Sequence, residues 1–148
     1  MSLIIDPNRT EDYIAIPIYY SIITGKYNSK KIKIYKDEEA KVLLDDQEKK
    51  KDIKILNTTW LQFNWDELQK IRLLCNNVDQ QTGRQEFNYI KFRDILIQTC
   101  LKDWDYIEHG NKIPINPNII KSIRPEIVND MLNKFEAVTS LSEDEEKK

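Results

Sequence analysis

The sequence predicts a mainly helical α+β fold: a helical domain of about four helices behind a small N-terminal β-hairpin. Three observations predict it. Apolar residues recur at helical spacing, behind recognisable caps, through much of residues 64–138. Two short runs nearer the N-terminus instead alternate polar and apolar residues, the period of a strand with one buried face. Only 3 glycines and 5 prolines interrupt the 148 residues, so long regular elements meet few breakers.

In chain order, the first regular run is Tyr13-Ile14-Ala15-Ile16-Pro17-Ile18-Tyr19-Tyr20-Ser21-Ile22-Ile23, closed by Gly25. It is apolar and β-branched, but Pro17 cannot donate to a ladder and argues against a central strand. Lys31-Ile32-Lys33-Ile34-Tyr35-Lys36 and Ile53-Lys54-Ile55-Leu56 carry the alternation and are expected to pair as the hairpin. Between them, residues 37–52 are dense in Asp, Glu and Lys and read as a polar helix or a long solvated loop.

The first strong helix starts after Asn64, whose side chain can cap while Glu67 completes a capping box. Leu68, Ile71, Leu74, Cys75 and Val78 then share a face. Asp79-Gln80-Gln81-Thr82-Gly83-Arg84 is a turn, with Gly83 free to take positive φ. A longer helix follows Phe87, its stripe Ile90, Ile97, Leu101 and Trp104 widened by Phe92, Ile95, Leu96 and Cys100. Gly110 and Pro114 interrupt it. Asn116-Pro117 and Pro125 each place proline at a first helical position, which opens a short helix through Ile123 and a longer one bearing Ile127, Val128, Met131, Leu132, Phe135 and Val138. The chain thus divides into an N-terminal segment (1–56) with hairpin and charged linker, a helical domain (57–139), and a disordered acidic and lysine-rich tail (140–148).

Composition narrows the function. A chain of this length can bury roughly two-thirds of its unfolded surface in one domain. A net charge of −2 and a mean hydropathy of −0.63 describe a water-soluble globule and argue against a broad basic groove for nucleic acid. Cys75 and Cys100 lack a C-x-x-C partner and sit in apolar helical patterns, as buried thiols of a reducing compartment do. The opening residues lack a basic n-region and break at Asp6-Pro7, so no signal peptide is expected, and no apolar run approaches the ~20 residues that span a bilayer. The expected place is the cytoplasm.

Catalytic chemistry finds little purchase. His109 is the single histidine, in a polar stretch, and Asp103, Asp105, Glu108 and His109 match neither an EF-hand nor a zinc spacing. Phosphate-binding glycine loops and nucleophile elbows are absent from the sequence. A non-enzymatic protein without cofactor or metal is the expectation. Trp60, Phe63 and Trp65 cluster just before the first strong helix, and Tyr106 follows Trp104 at the close of the second. Exposed Trp and Tyr anchor protein interfaces, so Trp60, Phe63, Trp65 and Tyr106 are the candidate protein-binding residues. Trp104 lies on the apolar stripe and reads as core; for Trp60 and Trp65 a core role stays open.

A resemblance adds to this reading. Trp60 with Trp65-Asp66-Glu67-Leu68 opening a helix, the turn Asp79-Gln80-Gln81-Thr82-Gly83-Arg84, and Leu101-Lys102-Asp103-Trp104-Asp105 closing the next helix come in this order. Gly110-Asn111-Lys112-Ile113-Pro114-Ile115, the step Asn118-Ile119-Ile120-Lys121-Ser122-Ile123-Arg124-Pro125-Glu126-Ile127 and a charged tail follow. This order resembles the tail assembly chaperones and related small tail proteins of bacteriophages. It covers the last three-fifths of the chain; residues 1–56 have no counterpart, and Arg124 stands where the family often has leucine. The resemblance implies a host-cytoplasmic protein, or a part of the virion tail, that binds tail tube, tape-measure or baseplate proteins and has no catalytic residue. The alternatives are a permanent virion component such as a baseplate, hub or tail-completion subunit, and a nucleic-acid-binding accessory protein using Lys30, Lys31, Lys33, Lys36 and Lys54.

Overall fold

A computed structural model describes residues 3–139. It corrects the fold class: the molecule is an α+β structure built on a four-stranded antiparallel sheet, not a mainly helical domain with an appended hairpin. The strands are β1 (Ile14–Thr24), β2 (Lys30–Tyr35), β3 (Lys54–Trp60) and β6 (Leu101–Trp104), in the order β2-β1-β3-β6. Five helices accompany them: α1 (Asp37–Leu44), α2 (Trp65–Cys75), α3 (Tyr89–Cys100), α4 (Pro117–Ser122) and α5 (Pro125–Thr139). Two small hairpins stand beside them: β4 (Asn76–Val78) with β5 (Gln85–Phe87), and β7 (Ile107–Glu108) with β8 (Asn111–Lys112). The tail expected at 140–148 lies outside the described residues.

Two strand expectations are overturned. The runs at Lys31–Lys36 and Ile53–Leu56 do not pair with each other; the apolar run before them inserts between them, so β1 pairs with β2 on one side and β3 on the other. Pro17 therefore does sit in a central strand. It is tolerated because β2 accompanies only residues 19–24 of β1, while Pro17 faces Asn57 on the β3 side. The Pro17 carbonyl, and with it the nitrogen that lacks hydrogen, points to the side where β2 has ended; there the carbonyl accepts from Lys134 Nζ at 2.9 Å. The boundary at residues 56/57 falls inside β3.

The alternation along the strands sorts their side chains. One face presents Ile16, Ile18, Ile32, Leu56 and Trp60 to a single core shared with α2, α3 and α5. The other carries a small cluster, Tyr35, Ala40 and Ile53, under α1, and there Ser21 Oγ and the Tyr35 hydroxyl share a buried hydrogen bond of 3.0 Å. Local signals place the helix starts. Asn64 accepts from Glu67 N and Glu67 returns the bond, so the capping box forms. Asn88 and Asn116 cap α3 and α4 through Lys91 N and Ile119 N.

Helix α3 ends sooner than its apolar stripe suggests. Its buried side is Phe92, Leu96, Ile97 and Cys100, whereas Ile90 is 83% exposed. Leu101 and Trp104 are buried from the strand that follows without an intervening turn, helped by a register shift in β3 between Thr59 and Trp60. Arg93 and Tyr89 of α3 both reach the buried Glu136 of α5, the arginine at 3.3 Å, and so clasp the two helices. Both cysteines are free and buried, and burial pushes the Cys100 thiol up to about 12.

Candidate functional site

The four sequence-predicted binding residues part company. Trp60 is fully buried, its ring stacked on Phe135 at 4.6 Å and its Nε1 donating to Thr58 Oγ1 at 2.7 Å. Phe63 is buried as well. Trp65 is 76% exposed at the first position of α2. Tyr106 is half-buried and lines a pocket of about 360 Å³, within the range of small-ligand and side-chain sites. No group of three or more His, Cys, Asp or Glu that could hold a metal occurs among the described residues.

The pocket lies where the sheet's apolar face runs past the helices. Tyr20, Ile22, Ile32 and Leu56 of β1, β2 and β3 form one wall. Ile119, Ile123 and Ile127, from α4, the link after it and the start of α5, form the other, with Ser122 and Arg124 beside them. Tyr106, Glu108 and Ile113, around the β7–β8 hairpin, close one end. None of these strand residues was singled out from the sequence, because their convergence depends on strand pairing across residues 20–56.

A set of polar bonds holds the closing end in place. Asp105 grips β3 through both carboxylate oxygens, accepting from Asn57 N at 2.8 Å and Asn57 Nδ2 at 2.7 Å. Trp104 Nε1 donates to the Ile113 carbonyl at 2.7 Å, and Ile113 N to the Tyr106 carbonyl at 2.9 Å. Trp104 meets the Tyr106 ring edge-on at 5.8 Å. His109 and Gly110 reverse the hairpin with φ of 52° and 78°. His109 thus serves a turn, while Asp103 pairs with Lys112 at 2.8 Å, Asp105 with Asn57 and Glu108 with the Tyr106 hydroxyl, each carboxylate on a separate partner.

The pocket's titratable groups respond to this packing. The Tyr106 hydroxyl donates to Glu108, and that bond, followed by burial, pushes the phenol up to about 12. Burial, with the nearby Asp105 charge, also raises Tyr20. Both phenols stay neutral at physiological pH, Tyr106 with its hydrogen bond donated to Glu108 and its oxygen left as an acceptor, beside a floor of isoleucines. Such a surface can take up an apolar group and orient its polar end.

No helix among the described residues is long and apolar enough to cross a membrane. No protein-family model matches the chain, and no match is found among curated proteins or solved structures.

Proposed function

We propose that the chain is a non-enzymatic phage tail morphogenesis protein that binds apolar segments of tail tube or tape-measure proteins during assembly. One observation carries the reading beyond the resemblance: the segments that bear the resemblance at Gly110–Ile115 and Asn118–Ile127 contribute much of the wall of the isoleucine-lined pocket. An open apolar pocket beside exposed Ile22 is a surface that gains by being covered, and a growing tail offers apolar segments that must be kept apart until used.

The test is co-purification of the tagged chain from phage-producing cells, joined to mass spectrometry of finished particles. A tail tube or tape-measure protein recovered with the chain, and the chain missing from particles, is the expected result. Stoichiometric copies in particles indicate instead a baseplate, hub or tail-completion subunit. Recovery of no tail protein and absence from particles contradicts both.

A further inference from the structure

We infer that the segment filling the pocket carries acidic residues beside its apolar ones; this rests on the reading that the pocket is where a protein segment binds. The charge of the pocket's surroundings is the ground for it. From Tyr13 to Lys36 the sequence holds five lysines and no acidic residue, in a chain whose net charge is −2. The β1–β2 pair also outruns its neighbour: β3 begins opposite Tyr20, so Ser21 to Thr24 are paired with β2 alone and form a projecting ribbon, exposed from residue 22 to 31.

The ribbon's register puts one of those lysines on the pocket side. Ile22 and Ile32 face each other and line the pocket, and the next pair outward on the same face is Thr24 with Lys30. Lys30 Nζ donates to Thr24 Oγ1 at 2.9 Å, a neutral partner that leaves its charge uncompensated. Across the pocket stands the exposed Arg124. Among the described residues no carboxylate is paired with Lys30 or Arg124, while Glu108, the acidic residue of the lining, keeps its own charge beside the neutral Tyr106 hydroxyl. An apolar floor with two uncompensated cations against one carboxylate is complementary to an apolar segment that carries acidic residues.

The ribbon could also be read as a lysine arm for nucleic acid. The isoleucine wall favours a protein segment, since the charged phosphates that dominate nucleic-acid binding gain nothing from Ile22, Ile32 and Ile123, whereas apolar side chains do.

Two fluorescein-labelled peptides test this by anisotropy titration. They share a centre of leucine, isoleucine, phenylalanine and leucine, flanked on both sides by two glutamates in one and two lysines in the other. The full chain is expected to bind the glutamate probe roughly tenfold more tightly at low salt, as one or two charge pairs provide. That gap should close in a Lys30→Gln, Arg124→Gln double variant and shrink at high salt, and Ile22→Asn should weaken both probes. Equal binding of the two probes, or a gap that survives the double variant, overturns the inference about charge and leaves the pocket reading intact. Tight binding of the glutamate probe unaffected by Ile22→Asn, or no binding of either probe, overturns the pocket reading with it. A short random DNA duplex that binds more tightly than the glutamate probe and releases steeply with salt also overturns the inference.

Discussion

Lys134 Nζ lies 2.9 Å from the carbonyl oxygen of Pro17, at the point where β1 loses β2 as a neighbour. The same ammonium reaches Asp37 at 2.7 Å and Asp130 at 3.4 Å and lies over the Tyr19 ring. One half-buried cation thus ties α5, α1 and the proline-bearing stretch of the sheet together. Replacing it removes a donor from a strand carbonyl and a counter-charge from Asp130, so Lys134→Met is expected to cost about 1–3 kcal/mol in chemical denaturation.

Asp130 sets a pH dependence on the same contact. Burial, only partly offset by Lys134, holds its carboxyl above the ordinary 3.8. Its contribution to stability is therefore fully present below that ordinary value and is lost as pH rises through the raised folded value. Asp130→Asn should flatten this part of the stability profile; a series of denaturation midpoints between acid and neutral pH shows whether it does.

Trp60 and Trp65 look equivalent in the sequence and are opposites in the fold. Trp60→Ala should cost about 3–5 kcal/mol, since it empties the space against Phe135. Trp65→Ala, at an exposed position, should stay within about 0.5 kcal/mol of the parent. Equal losses in thermal denaturation would mean that Trp60 is not core.

Tyr27 and Asn28 form the tip of the β1–β2 ribbon with φ of 57° and 62°, and Ser29 N closes the turn on the Lys26 carbonyl at 3.1 Å. This geometry favours Asn and Gly, and a bulky tyrosine is held in it at a cost. Tyr27→Gly is expected to leave stability unchanged or raise it by up to about 1 kcal/mol, as read from the denaturant midpoint.

The Tyr106–Glu108 bond is open to a spectroscopic check. The phenol should ionise near 12, and its stabilising contribution is fully present below the ordinary 10.0 and lost as pH rises from there through the raised folded value of about 12. Glu108→Gln should move the ultraviolet titration of this tyrosine down toward the ordinary value.

Where the sequence speaks locally, the fold follows it. The Asn64–Glu67 capping box, the prolines opening α4 and α5, and the turn at Gly83 each depend on residues a few positions apart, and each forms. What was illegible depends on distant partners. Pro17 excludes a central strand only if both edges of its own position are paired, which no local pattern reveals. The alternation at Lys31–Lys36 identifies a strand but not its neighbour, and the neighbour proves to lie earlier in the chain. The 3.6-residue spacing through Ile97, Leu101 and Trp104 continues across the helix-to-strand change because the register shift in β3 returns Leu101 and Trp104 to the core face. Of the candidate site, Tyr106 was legible as a binding aromatic, though it follows strand β6 and not the helix end the sequence suggests, whereas Tyr20, Ile22, Ile32 and Leu56 became its neighbours only once the sheet was assembled.

The central claim is that the pocket, and not the exposed Trp65, holds the partner. Recovery of tail proteins with tagged Ile22→Asn and Trp65→Ala variants from phage-producing cells tests it most directly, since Ile22 is 45% exposed and its replacement leaves the core intact. The account predicts that Ile22→Asn loses the tail tube or tape-measure protein while Trp65→Ala retains it; undiminished recovery with Ile22→Asn, or loss with Trp65→Ala alone, contradicts it.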